Sequence, residues 1–116
     1  TLRNLGYAYY QLGQHQEAIK FFQQALAITR EIGNRREEVN ALGNLGDAYR
    51  SLKQYPQAIE FYQQTLVGLR DISDRQGEGN ILATLGLTYE SLREYQRALT
   101  TYQQALVILR DTGDRQ

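Results

Sequence analysis

The sequence repeats itself with a period of 40 residues, and that period constrains the fold more than any other feature. LGYAYYQLGQHQEAIKFFQQAL, from Leu5, returns as LGDAYRSLKQYPQAIEFYQQTL from Leu45 and as LGLTYESLREYQRALTTYQQAL from Leu85. Over Leu45–Gln76 and Leu85–Gln116 more than half of the aligned residues are identical. Copies of roughly 20–50 residues stack so that each buries its apolar face against its neighbours. Such a stack presents a surface instead of a closed catalytic pocket.

Within each copy the apolar residues fall at helical spacing. Leu42, Leu45, Ala48, Tyr49 and Leu52 recur three and four residues apart, which places them on one helix face. A second set follows: Ala58, Ile59, Phe61, Tyr62, Leu66 and Leu69. Pro56 suits the first turn of that second helix, where a missing N–H leaves no bond unmade. The short connection predicts antiparallel packing of the pair. The joints between copies are Ile32-Gly33-Asn34, Ile72-Ser73-Asp74 and Thr112-Gly113-Asp114. Gly33 and Gly113 suit a left-handed C-cap, Asn34 and Asp74 suit an N-cap, and Glu37 completes a capping-box spacing. The expected helices are about 1–12, 15–32, 35–53, 56–72, 75–93 and 96–112. The expected fold class is all-α.

Composition excludes several functions. Thirteen Lys+Arg balance thirteen Asp+Glu, which argues against nucleic acid or an anionic membrane as the main partner. With no cysteine there is no disulfide, thiolate metal site or cysteine nucleophile to propose. This suits a reducing compartment, and a cytoplasmic location is the expectation. No apolar run approaches the ~18 residues of a membrane span, and no signal-peptide pattern opens the chain. Nothing before Thr1 matches Arg35–Asn40. The expectation is therefore a fragment of a longer array, forming one domain over 1–116. Its repeats are expected at 1–34, 35–74 and 75–116.

These residues resemble the tetratricopeptide repeat. The first helix carries a large residue, then Leu-Gly, then Tyr: Leu2, Leu5-Gly6 and Tyr9; Leu42, Leu45-Gly46 and Tyr49; Leu82, Leu85-Gly86 and Tyr89. The second carries small, aromatic and small residues: Ala18, Phe22 and Ala25; Ala58, Tyr62 and Thr65; Ala98, Tyr102 and Ala105. The resemblance covers essentially the whole chain. Leucine replaces the family's usual tryptophan, the usual proline after the second helix is absent, and the period exceeds the common one of about 34 residues. Longer units of this kind look like those of kinesin light chains, rapsyn, the Leu-Gly-Asn repeat proteins and many bacterial regulators. A glycine inside a helix costs about 1 kcal/mol against alanine. Gly6, Gly46 and Gly86 are accordingly expected to admit the paired helix, facing Ala18, Ala58 and Ala98.

The resemblance implies a right-handed superhelical solenoid of three helix-turn-helix units, about six antiparallel helices, with first helices lining a concave face. Peptide-contacting positions of the family fall here on Arg3, Asn4, Tyr7, Tyr10, Asn40, Asn44, Asp47, Arg50, Asn80, Thr84, Leu87 and Glu90. Asparagine offers an acceptor and two donors, the pattern that grips an extended backbone amide. Arg3 and Arg50 could pair with acidic side chains, while Tyr7, Tyr10 and Leu87 could supply apolar anchors. The carboxylate clamp that some relatives use for chaperone tails is not implied. Only Arg3 and Asn44 match it, while Tyr7, Thr84 and Asn80 depart from it.

Other signals reduce to structure. His15 aligns with Tyr55 and Tyr95, which marks it as a ring packed near a turn, and a single histidine without cysteine makes no metal site. Glu31, Asp71 and Asp111 recur beside Arg30, Arg70 and Arg110 as helix-end features. The Gln pairs at 23–24, 63–64 and 103–104 read as an outer surface. Arg35, Arg36, Arg75 and Arg115 read as a neutral solvated edge with Glu37, Glu38, Asp74 and Asp114. Gly68, Gly77 and Gly79 replace Ile28, Glu37 and Val39, which is expected to soften the second boundary. The expectation is a non-enzymatic interaction scaffold without cofactor, holding a peptide or helix of a partner protein. The alternative is self-association through the ends of the stack, where the apolar face of residues 98–107 would be partly bare.

Overall fold

The computed structural model describes residues 2–113 as six helices joined by tight turns. They are α1 (Leu2–Gln11), α2 (His15–Ile32), α3 (Arg35–Ser51), α4 (Tyr55–Asp71), α5 (Arg75–Ser91) and α6 (Tyr95–Gly113). The expected joint residues Asp114 and Arg115 lie outside the described residues. The chain forms two compact units, Thr1–Thr65 and Leu66–Gln116, whose boundary falls inside α4.

Every described turn ends its helix in the same way. A residue in the left-handed region reverses the chain, and the next N–H bonds back to a carbonyl five residues earlier. Gln14, Gln54 and Glu94 donate in this way to the carbonyls of Tyr9, Tyr49 and Tyr89, each at 2.9 Å. Asn34 and Asp74 do the same to Thr29 and Leu69. This is the Schellman arrangement, which satisfies carbonyls the helix would otherwise leave open. Gly33 supplies the left-handed residue at the first joint, as expected, with φ 72°. At the other turns the position is taken by Gly13, Lys53, Ser73 and Arg93. Lys53 and Arg93 are the reason α3 and α5 stop at Ser51 and Ser91, two residues short of the expected ends.

Both expected N-caps form. The Asn34 side chain accepts from Glu37 N at 3.2 Å, and the Asp74 side chain accepts from Gly77 N at 2.9 Å. Each such bond contributes about 1 kcal/mol. Across the same joints, Arg30 Nε reaches Glu38 at 3.1 Å and Arg70 Nε reaches Glu78 at 2.9 Å. Arg35 and Arg75 add second bonds to these carboxylates. Glu38 and Glu78 thus clip each joint shut from the following helix. Burial pushes the Glu38 carboxyl upward, but the two guanidiniums outweigh it and hold it below the ordinary range.

The core of the first unit is built from α2 and α3. Ala18, Ile19, Phe22 and Leu26 pack with Ala41, Leu42, Leu45 and Ala48, and Tyr9, Tyr10, Tyr49, Leu52 and Phe61 close over them. In the second unit Leu82, Ala105 and Ile108 pack with Leu66 and Ala83. The helical glycines sit under aromatic rings. A Cβ at Gly6, Gly46 or Gly86 would lie 2.8, 2.6 or 2.5 Å from the rings of Phe22, Tyr62 and Tyr102. The paired helix does approach as expected, with Ala18 O 3.3 Å from a Cβ at Gly6, and at all three glycines the nearest atoms belong to the aromatic four residues beyond the alanine. Phe22 and Tyr62 are 1% and 0% exposed, so no slack remains for a methyl group. Gly79 likewise admits Leu109 and Ile108, and Gly77 admits Leu69.

Candidate functional site

In the first unit, α1 and α3 carry eight of the twelve residues singled out from sequence. Arg3, Tyr7 and Tyr10 follow one another at helical spacing on α1. Glu37, Asn40, Asn44, Asp47 and Ser51 do the same on α3. Contacts at both ends tie the two rows together: Arg3 Nε pairs with Glu37 at 3.3 Å, and the Tyr10 hydroxyl bonds the Ser51 hydroxyl at 3.0 Å. Asn40 and Asn44 lie half-buried between those two ties, one turn apart. Asn4 is exposed beside Arg3, and Tyr7 is 52% exposed. The Tyr7 and Tyr10 rings lie nearly parallel, 6.3 Å apart, and Tyr10 meets the edge of His15 at 5.0 Å. The row is thus aromatic at one edge and amide-rich along its middle.

Asp47 and Arg50 are held from beneath. The Tyr62 hydroxyl donates to Asp47 Oδ1 at 2.5 Å and accepts from Arg50 Nε at 3.2 Å. Burial pushes the Asp47 carboxyl above the usual carboxylate range, although Tyr62 and Arg50 pull the other way. Burial, with the Asp47 charge beside it, drives the Tyr62 hydroxyl well above its ordinary value, so it remains a proton donor. The network orients Arg50 while leaving it half-buried at the surface.

The third repeat solves the same problem differently. Leu87 stands where Asp47 would be, and the Tyr102 hydroxyl donates instead to Glu90 at 2.8 Å. In the first repeat Phe22 has no hydroxyl, and Tyr7 and Tyr10 occupy the two positions. Each repeat therefore matches its ring to the chemistry above it. The remaining singled-out residues lie along α5 of the second unit. Asn80 is exposed, Leu87 is 51% exposed, and the half-buried Thr84 donates its hydroxyl to the Asn80 carbonyl at 3.1 Å.

A hollow of about 410 Å³ adjoins the Arg3–Glu37 pair. Leu2, Ala25 and Ile28 floor it, and Arg3, Asn4 and Glu37 rim it. The sequence alone placed Glu37 in a cap and a solvated edge, and Ser51 beside Arg50 among the positions the resemblance implies, but gave neither a partner on α1. Both became legible through contacts between helices whose residues are more than thirty apart in the chain. Among the described residues no group of three or more His, Cys, Asp or Glu could hold a metal ion. No helix there is long and apolar enough to cross a membrane.

The fold has many solved counterparts. The tetratricopeptide domain of Arabidopsis FLU superimposes with a TM-score of 0.88 at 19% identity, covering 95% of this chain and 92% of that one. Aspartyl phosphate phosphatase F of Bacillus subtilis gives 0.90 at 20% identity, covering 97% of this chain but 30% of the phosphatase. Kinesin-light-chain-type repeats of Podosopora anserina give 0.79 at 22% identity, covering 96% of this chain and 55% of that one. At these identities the likeness establishes the fold alone. No curated protein matches the sequence. Models of the tetratricopeptide repeat match residues 1–71 and 81–116. With the Leu-Gly-Tyr spacing repeated three times and each glycine seated under its aromatic ring, the chain belongs to the tetratricopeptide repeat family.

Proposed function

We propose that the α1–α3 face of the first unit holds an extended or helical segment of a partner protein. Domains of this family generally mediate contacts between proteins. The observation that carries the reading is the placement of Asn40 and Asn44. They are half-buried and one turn apart, and they are framed by two contacts that hold α1 against α3. Ordered amides of this kind lose little entropy on binding a peptide backbone, which favours affinity. Tyr7 and Tyr10 would anchor an apolar side chain, and the hollow over Leu2, Ala25 and Ile28 would take a second. Arg3 and Arg50, each already oriented by a neighbour, would read acidic groups. On α5, Asn80, Thr84, Leu87 and Glu90 would make an equivalent set with an apolar residue in place of Asp47.

The test is a selection of peptides on the immobilised chain, followed by fluorescence anisotropy of the winner. Replacing Asn40 and Asn44 together by alanine should weaken binding by about tenfold or more, two hydrogen bonds being lost. Helicity and mass in solution should not change. Undiminished binding by the double variant would refute the site.

A second reading rests on α6. Leu99 and Leu106 are 54% and 56% exposed, while their counterparts Ile19 and Leu26 in α2 are 9% and 7% exposed beneath α3; Val107 is exposed in the same way as its counterpart Val67. Ala98 and Ala105, grouped with that face from sequence, are buried instead. A bare row of this type would receive α1 of a second copy, whose Leu5 is 43% exposed. Sedimentation over a range of concentrations decides it: Leu106→Glu should abolish any growth in mass, and a monomer at all concentrations would exclude the reading.

A further inference from the structure

In the first unit Arg3 closes directly on Glu37, and Arg30 and Arg35 close on Glu38. Arg50 is held differently. Its Nε donates to the Tyr62 hydroxyl at 3.2 Å, and that hydroxyl donates in turn to Asp47 Oδ1 at 2.5 Å. Among the described residues Arg50 makes no direct ion pair. Asp47 stands three residues before Arg50 on α3, a spacing at which the two side chains could meet unaided. The phenol comes between them, using its donor on one and its acceptor on the other. Tyr62 is 0% exposed, so this spacer is fixed from below by the core. The third repeat has no such intermediary. There the Tyr102 hydroxyl donates straight to Glu90, which stands at the position of Arg50, and Leu87 replaces Asp47.

We propose that Tyr62 is a positioning residue that keeps Arg50 oriented but not neutralised, so that its guanidinium reads an acidic side chain of the partner segment. The inference rests on the α1–α3 face being the binding surface, and adds to it a preference and the buried residue that sets it. A guanidinium carries five N–H donors in a planar fork, and the bond to Tyr62 engages one edge nitrogen. A direct pair with Asp47 would cancel the charge locally, and an incoming carboxylate would have to displace a neighbour already held. An intervening neutral hydroxyl fixes the direction of the fork and leaves the charge in place. The half-buried setting of Arg50 makes its pairing stronger than one in open solvent. The same geometry places the acid. Ser51 follows Arg50 and is bonded to Tyr10, so a carboxylate on Arg50 would lie at the aromatic end of the face, beside a side chain anchored on Tyr7 and Tyr10. The partner segment is therefore one that carries Asp or Glu next to an apolar residue.

The experiment is selection of a random peptide library on the immobilised full chain. Fluorescence anisotropy then compares the most enriched peptide with versions in which each Asp or Glu is replaced by Asn or Gln. One acidic residue should be enriched, and its amide version should bind about fivefold more weakly, the upper range for a partly exposed pair. Arg50→Gln should abolish that margin. Tyr62→Phe lets Asp47 close on Arg50 and should cut the margin below about twofold. Adding Asp47→Asn to Tyr62→Phe removes the competing carboxylate and should restore it, a rescue that damaged packing alone would not give. Asp47→Asn with Tyr62 intact should keep the margin at about fivefold or more, which keeps the test decisive if Tyr62→Phe disturbs folding. The proposal is overturned by peptides without an enriched acid, by a margin that survives Tyr62→Phe or Arg50→Gln, or by a double variant that fails to recover it. A library that yields no peptide, or peptides indifferent to Asn40→Ala with Asn44→Ala, refutes the face itself and this inference with it.

Discussion

Gly43 and Gly46 lie three residues apart in α3, yet alanine at the two positions should change stability in opposite directions. At Gly46 a new Cβ would stand 2.6 Å from Tyr62 Cε1 and 2.7 Å from Cδ1. Carbon atoms pack comfortably at about 3.5–4.0 Å, so the ring must retreat by roughly 1 Å. It has nowhere to go, because Tyr62 is 0% exposed and its hydroxyl is bonded to both Asp47 and Arg50. Overpacking of this kind costs about 1–3 kcal/mol. Weakening hydrogen bonds to two charged groups adds a further cost of about 1 kcal/mol or more. Better helix propensity returns about 1 kcal/mol. The net expectation is a loss of about 2 kcal/mol. At Gly43 the nearest atom to a new Cβ is Thr65 Cγ2 at 3.7 Å, an ordinary contact. Only the propensity gain operates there, so Gly43→Ala should stabilise by about 0.5–1 kcal/mol. Urea denaturation followed by far-ultraviolet circular dichroism separates the two, provided the slopes agree. If Gly46→Ala proves as stable as Gly43→Ala, the idea that these glycines exist to admit the ring is wrong.

Other consequences follow from the same contacts. Lys53 and Arg93 hold φ at 62°, so Lys53→Gly and Arg93→Gly should each raise stability by about 1 kcal/mol; unchanged denaturation midpoints would show that the turns carry no strain. Glu38, held below its ordinary pKa by Arg30 and Arg35 against burial, contributes stability above about pH 4.5 and loses it as pH falls through the folded value. Glu38→Gln should therefore destabilise at neutral pH, with the deficit fading in acid; a deficit independent of pH would contradict the pairing. Asp47 has the opposite sign. Burial raises its pKa, so its contribution is fullest below about pH 3.8 and is lost as pH rises through the folded value. Asp47→Asn should remove that fall from the stability–pH curve, which urea midpoints measured across the acid range will reveal.

Much of this was legible before any coordinates. Six helices could be read because apolar residues at three- and four-residue spacing leave a chain one economical way to bury them. Asn34, Asp74 and Gly33 announced the joints because capping depends on local hydrogen bonds that a short stretch of sequence contains. Lys53 and Arg93 did not announce theirs. A long basic side chain gives no local sign that its backbone is left-handed, and the closing bond to the residue five before is what imposes that state. The role of Gly6, Gly46 and Gly86 was half visible: periodicity says that the paired helix must pass close, but not that its aromatic ring makes the tightest contact.

The candidate face divides along the same line. The family resemblance singled out Asn40, Asn44, Tyr7 and Tyr10, and helical spacing sets those of each helix along one side of it. It could not reveal that Arg3 meets Glu37, that Tyr10 meets Ser51, or that Tyr62 selects Asp47 while Tyr102 selects Glu90. Those pairings depend on distances of about 3 Å between residues on different helices. Spacing along one helix defines a direction and leaves the separation between helices open. That separation follows from how deeply each ring sinks into its neighbour, which is a property of packing and has no signature in any single stretch of chain.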